Sequence, residues 1–404
     1  MAKALFLGLP LHGHTNPSLP LVRELVARGD EIVYYSADAF AAQIEGAGAR
    51  YRPYRNAFLA DITRLPERVE QLSWLLMRAT ADVLEQELDA FRAERPDYLI
   101  ADSVAPWGQW VGEVLGVPVV TSVSTFAFNR QVLAFAASHG LRPKSAGLFV
   151  SKLRHVIKAI RLGRQLGRQY RVRGPGITGL VFGRSDLNIV YTSRHFQPCA
   201  ETFDDRHLFV GPSLRPTTDP GLSGAGGRAQ PVIYVSLGTL FNADAAFYRN
   251  CFDAFRHEDV RVIMSIGTNV SEGSLGPAPP NFTVQPHVQQ LDVLQRASAF
   301  VTHGGMNGVS ESLHFGVPLV VIPQMSEQEL VGRRVDQLGA GIYLAKADAT
   351  PERIRESVAR LLADERFRQH AHVVRESFQT AGGVARAVDA IFAFTRSRGA
   401  RASP

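Results

Sequence analysis

The stretch FVTHGGMNGVSESLHFGVPLVVIPQMSEQEL, residues 300–330, reads as a buried strand, a glycine turn, a helix and a second strand. A run of that order predicts a parallel βαβ unit, since parallel strands need a crossover helix between them. The same alternation extends outward in both directions. Before it stand VIYVSLGT, RVIMSIGT and FTVQPH, and after it AGIYLAK. The first half repeats the pattern with ALFLGL, EIVYYSA, RYRPY, DYLIADS, VPVVTSV and LNIVYTS. Between the halves, GPSLRPTTDPGLSGAGGRAQP at 211–231 is rich in Gly, Pro, Ser and Thr and has no apolar period. The expectation is an α/β chain of two doubly wound, Rossmann-like domains. They would occupy 1–212 and 231–380, with a linker at 213–230 and a C-terminal helix and loose tail at 381–404. A chain of 404 residues suits two cores better than one.

In doubly wound sheets ligands bind beyond the carboxyl ends of the strands where the strand order reverses. In the first domain that point lies between the strand leading into LHGHTNP and the one ending at Asp102. A helix beginning near Asn16 and Pro17 would leave His14 in the turn, beside Asp102. An imidazole held by a carboxylate is a general base whose tautomer is set and whose charged form is stabilised. His12 reads as a structural neighbour. In the second domain the equivalent point gathers Ser236, Gly238, Thr239, His303, Gly304 and Gly305. Close backbone approach at the glycines and the positive end of a helix starting near Asn307 offer an anion site suited to a diphosphate. Glu311 could accept from a ribose hydroxyl, and Glu327 and Gln328 from or to sugar hydroxyls.

Composition excludes other classes. Hydrophobic residues make up 45% and charged residues 20%, which excludes disordered and fibrous chains. Cys199 and Cys251 have no metal-ligand spacing, consistent with a reducing cytoplasm. MAKALFLGLPL meets HGHTNP rather than a cleavage site and is read as a first strand. The net charge of +6 is uneven: from 114 to 185 there is no acid. Within that span GLFVSKLRHVIKAIRLGRQLGRQYRVR, at 147–173, reads as a basic amphipathic helix. Its apolar side, with Phe149, Val150, Leu153, Val156, Ile157 and Ile160, is expected on the core, a lipid surface or an anionic acceptor being the other reading. No nucleic-acid-binding signature accompanies these charges.

HVQQLDVLQRASAFVTHGGMNGVSESLHFGVPLVVIPQMSEQ, residues 287–328, resembles the donor signature of glycosyltransferase family 1, in its bacterial macrolide and flavonoid branch. HGHTNPSLPLVRELVARGDEIVYYS resembles that branch's N-terminal motif. The resemblance implies the GT-B fold, with an acceptor domain and a nucleotide-sugar donor domain facing a cleft and the last helix crossing back to the first domain. It implies inverting, metal-independent transfer from a UDP-sugar, usually UDP-glucose, which serves as a co-substrate, with no cofactor. By position, His14 would be the base and Asp102 its partner. His303 and Asn307 would bind diphosphate, Glu311 the ribose, and Glu327 and Gln328 the sugar. Gln290 would lie by the uracil and ribose, in a donor loop that includes Val288. Three positions depart from the pattern. His287 stands where an aromatic residue usually stacks on uracil, Gln289 replaces a proline, and Gly308 replaces a serine.

Rival readings fare less well. A metal site on the H-x-H pair would need further ligands and a single barrel. A nicotinamide enzyme would need G-x-G-x-x-G, which GLPLHGHTNPS lacks. A non-catalytic sugar-nucleotide-binding module predicts a broken dyad, and both members are present. The acceptor is expected to be a small hydrophobic molecule such as a flavonoid, macrolide or other polyketide, met by Trp74, Phe126 and Phe128, with Leu75 and Met77. A lipid or membrane-surface acceptor is the alternative.

Overall fold

The computed structural model describes residues 1–55, 72–139, 146–174, 176, 185–214, 230–239 and 242–402. They form two compact units: Met1–Ser213 with Ala381–Pro404, and Leu214–Thr380. The core of the expected linker, 215–229, lies outside the described residues.

The first unit is built on seven parallel strands, β1 (Lys3–Leu7), β2 (Glu31–Ser36), β3 (Arg50–Pro53), β4 (Tyr98–Asp102), β5 (Val119–Val123), β6 (Leu187–Val190) and β7 (His207–Phe209). Their order is β3-β2-β1-β4-β5-β6-β7, so the reversal falls between β1 and β4. Strand β7 was not expected, because three residues, HLF, are too few to display a period. The central strands are apolar along their length: β4 is buried at every position and β1 at all but its first. That is the signature of a parallel sheet covered on both faces. Helices α1 (His12–Ala27), α2 (Leu72–Gln86), α3 (Trp107–Leu115) and α4 (Ala146–Tyr170) lie in this unit.

Two expectations on helix ends need correction. Helix α1 starts at His12, with Pro17 and Pro20 inside it, rather than near Asn16. The N–H groups of His14 and Thr15 both bond the carbonyl of Leu11, at 2.9 and 2.8 Å, and close the first turn ahead of the prolines. At the C-terminal end the last helix runs from Gly383 to Ala402, into the stretch expected to be loose. Its Ala387, Val388 and Ile391 are buried in the first unit's core. Arg28 Nη1 donates to Asp389 at 2.6 Å, and the Gly383 N–H donates to the Val210 carbonyl at 2.8 Å.

Helix α4 also differs from a simple amphipathic helix. Ala159 and Leu166 are buried, yet Leu153 is 47% and Ile157 40% exposed. The side chains of Phe149 and Val150 lie outside the described residues.

The second unit has six parallel strands, β8 (Val232–Ser236), β9 (Arg261–Ser265), β10 (Phe282–Gln285), β11 (Ala299–Thr302), β12 (Leu319–Val321) and β13 (Gly341–Tyr343). Their order is β10-β9-β8-β11-β12-β13, again reversing beside the unit's first strand. Helices α5 (Ala245–Phe255), α6 (Met306–His314), α7 (Ser326–Gln337) and α8 (Pro351–Ala363) belong to it. Thr350 caps α8 by accepting from the Arg353 N–H at 3.3 Å, with Pro351 at the first helical position, as its sequence predicts.

Candidate active site

Register places the first set of residues. Leu7 of β1 pairs with Ala101 of β4, and Asp102 pairs with Ser122 of β5. Asp102 therefore emerges at the end of β4, next to the turn that leads from β1 into α1. His14, in the first turn of α1, places Nδ1 2.9 Å from Asp102 Oδ2. The carboxylate side chain is only 2% exposed and the imidazole 14%. The other oxygen, Asp102 Oδ1, accepts from the Val104 N–H at 2.8 Å and so cannot swing away. With Asp102 acceptor-only when ionised, the neutral imidazole carries its proton on Nδ1 and its lone pair on Nε2. That is the tautomer of a general base.

Ser124 completes the group. Its Oγ lies 3.0 Å from the same His14 Nδ1. Sequence reading missed it, although β5 is the next strand out from the switch point and Ser124 lies two residues past Ser122. His12 goes elsewhere: its ring meets Phe40 edge-on at 4.9 Å between centroids. The two histidines of HGH thus meet different partners.

The second set rests on one strand pair. Ser236 of β8 pairs with Thr302 of β11, so SLG and THGG leave the sheet side by side. The His303 ring sits between two glycines. A Cβ on Gly238 would lie 2.6 Å from His303 Cε1, and one on Gly305 would lie 2.6 Å from His303 Nε2. Gly238 has φ +76°, and Gly304 has φ +86°. Gly238 and Gly305 therefore seat an imidazole, a role beyond the close phosphate approach expected of the glycines here. Burial pushes the His303 pKa down to about 4, partly offset by a hydrogen bond to the Ser236 carbonyl. The ring is neutral at pH 7.

That depression has a sign for stability. An unfolded histidine titrates near 6.5. Between pH 6.5 and 4 the unfolded chain holds a proton that the folded chain lacks, so stability falls as pH drops through this window. The loss should reach about 2–3 kcal/mol near pH 4. Unfolding midpoints of wild type and His303→Gln from pH 7 to 4.5 will test this: the wild type should lose more, and parallel curves would refute it.

Helix α6 begins at Met306 with Gly305 as N-cap, one residue before Asn307. It has no side-chain cap and no acid in its first turn, so its leading N–H groups and positive end suit an anion. Asn307 and Gly308 lie in that first turn. Thr239 is exposed beyond Gly238, while Ser236 is buried and its Oγ accepts from the Gly238 N–H at 3.2 Å. Gly308 has room: a Cβ there would meet only ordinary contacts, at 3.6 Å from Gln290 Nε2 and 3.7 Å from Phe300.

Beside the turn runs a second chain of hydrogen bonds. Tyr234 Oη donates to Gln290 Oε1 at 3.0 Å, and Gln290 Nε2 donates to Glu311 Oε2. Glu311 is thereby oriented by a residue 21 positions earlier, through a tyrosine that sequence reading did not single out. His287 is exposed and Val288 half-buried in the loop after β10. Glu327 is exposed in the first turn of α7. Gln328 is buried, and its Oε1 accepts from the N–H groups of Gln324 at 2.8 Å and Met325 at 3.2 Å. Gln328 thus holds the turn into α7.

Of the aromatic residues expected at an acceptor wall, Phe126 is 2% exposed and packs against Phe196 at 5.4 Å. Phe128 and Trp74 are half-buried, and Lys158 Nζ lies 5.9 Å from the Trp74 ring centroid. Met77 is buried too.

The erythromycin biosynthesis protein CIII-like C-terminal domain matches residues 249–388. The NDP-glycosyltransferase YjiC of Bacillus subtilis (strain 168) is 34% identical over 395 residues, 96% of each chain. Demethyllactenocin mycarosyltransferase of Streptomyces fradiae is 32% identical, covering 97% of this chain and 86% of its own. The crystal structure of CalG4, the calicheamicin glycosyltransferase, superposes with a TM-score of 0.82 at 32% identity and full coverage of both chains. The architecture is that of the GT-B glycosyltransferases. The chain belongs to glycosyltransferase family 1, in its branch of macrolide and other natural-product glycosyltransferases.

Proposed function

We propose that the protein transfers a hexose, glucose from UDP-glucose, to a hydroxyl of a small hydrophobic acceptor such as a flavonoid, macrolide or other polyketide. Transfer inverts the anomeric carbon and needs no metal ion. The observation that carries this reading is the His14–Asp102 contact of 2.9 Å at Nδ1, which leaves Nε2 as the basic nitrogen. His14 takes the acceptor proton as that oxygen attacks the anomeric carbon, and Asp102 stabilises the imidazolium that forms. An α-linked donor gives a β-glycoside.

The leaving diphosphate is held by the N–H groups opening α6, with Ser236, Thr239 and Asn307 nearby. His303, neutral without an anion, gains its second proton once a diphosphate is bound beside it. Gln290 and Glu311 meet the ribose, His287 offers a ring face to uracil, and Glu327 with Gln328 reads the sugar hydroxyls. Glucose is supported by relatives such as the uncharacterized UDP-glucosyltransferase YojK of Bacillus subtilis (strain 168), 31% identical over 97% of this chain. The mycarosyltransferase relative, named for another sugar, makes the donor the first thing to measure.

A panel of UDP-glucose, UDP-galactose and dTDP-glucose against flavonoid, macrolide and lipid acceptors, read by mass spectrometry, tests the proposal. UDP-glucose should exceed the other donors at least about tenfold in kcat/KM, as expected where polar groups of the site match one donor. A chelator should leave the rate unchanged. Preference for dTDP-glucose would overturn the donor assignment, and loss of rate with the chelator the metal-free mechanism.

A further inference from the structure

Helix α4 carries a surface that the transfer reaction does not use. Leu153 and Ile157, one turn apart, are 47% and 40% exposed, two of only five large hydrophobic residues so exposed among the described residues. Around and beyond them on the outer side stand Arg154, Arg161, Arg164 and Arg168, all exposed. Among the described residues none of these four arginines forms a salt bridge, although Lys3, Arg28, Arg50 and Arg206 of the same unit do. Nor does the neighbouring sequence supply an acid: residues 114–185 contain twelve Lys and Arg and no Asp or Glu.

We propose that the outer face of α4 docks on an anionic lipid bilayer. Apolar side chains projecting among guanidinium groups that form no salt bridge among the described residues match the acyl boundary and the phosphates of such a surface together. A helix of 25 residues, about 37 Å long, would lie along the membrane plane. No described helix is long and apolar enough to cross a membrane. A second copy of the chain is a poor occupant, because it would bring the same uncompensated positive charge face to face. Nucleic acid would use the arginines but gives no reason for exposed Leu153 and Ile157, where base-stacking aromatic residues are expected instead.

Co-sedimentation of the full chain with vesicles tests this independently of its catalytic activity. Phosphatidylcholine vesicles containing phosphatidylglycerol should pellet the protein at low salt, and pure phosphatidylcholine vesicles should not. Arg161→Gln/Arg164→Gln/Arg168→Gln should lower partitioning roughly a hundredfold, from about fivefold per cation. Leu153→Gln/Ile157→Gln should lower it about tenfold. Both variants should keep the wild-type unfolding midpoint, since they alter exposed side chains. Equal pelleting by both vesicle types, or partitioning unmoved by either variant, would overturn the proposal. So would tighter binding of a fluorescent RNA hairpin than of anionic vesicles at equal salt.

Discussion

Replacing His14 with alanine should lower kcat by about a hundredfold to ten-thousandfold, the range a positioned general base contributes. Donor KM should change little, because His14 lies in the first unit and the nucleotide-contacting candidates in the second. Asp102→Asn provides the sharper comparison. It keeps the volume of the buried side chain, and its amide oxygen can still accept from Val104. What it removes is the charge that favours Nδ1–H and steadies the imidazolium, so kcat should fall at least about tenfold. The alkaline plateau of the pH–rate profile should move with it. Ser124→Ala, which leaves the carboxylate in place, should have the smaller effect. Measured UDP release in the presence of acceptor decides the matter: wild-type turnover by His14→Ala would remove the base, and an unaltered profile in Asp102→Asn would reduce that residue to a structural support.

The second large effect concerns the imidazole seat in the second unit. Gly238→Ala adds a methyl group 2.6 Å from His303 Cε1 at a backbone position with φ +76°. The left-handed conformation alone costs about 1–2 kcal/mol for a residue with a Cβ, and displacement of the ring adds to it. Gly305→Ala separates the two causes, since Gly305 has an ordinary φ of −61° yet the same 2.6 Å approach, to His303 Nε2. UDP affinity, measured by calorimetry, should fall at least about tenfold in both variants, as it does when an oriented polar group is displaced from a charged ligand. Stability should fall further in Gly238→Ala. Gly308→Ala is the control, with no neighbour inside 3.6 Å and a gain in helix propensity of about 0.5–1 kcal/mol. Wild-type UDP affinity in Gly305→Ala would show that the ring's placement does not matter for the donor.

Several features were legible because parallel sheets print themselves on sequence. Long apolar runs separated by helices mark twelve of the strands, and the reversal rule places His14 beside Asp102 and gathers Gly238 and His303 at one switch point. Capping chemistry was equally local, as at Thr350 and Pro351. What failed did so for identifiable reasons. Pro17 reads as the opening of a helix, whereas main-chain bonds to Leu11 open it five residues earlier. Phe126 is buried against Phe196, a contact that no local pattern announces. Ser124 and Tyr234 could not be singled out, since a serine at a strand end and a tyrosine within a strand carry no motif.

The chain's order of elements, its two switch points and the residue types gathered there were determined by sequence, because periodicity and turn chemistry act over neighbouring residues. Tertiary structure alone decided which atoms meet. It brought Ser124 to the nitrogen already held by Asp102, clamped Glu311 through Gln290 and Tyr234, and turned Gln328 inward to hold its own turn. It also showed that Gly238 and Gly305 make room for an imidazole, and that Leu153 and Ile157 face outward from a helix whose pattern placed them inside. Apart from those in the turn held by Gln328, the hydrogen bonds among these contacts join residues 21 to 110 positions apart, and their distances depend on strand register and side-chain packing, which no local pattern encodes.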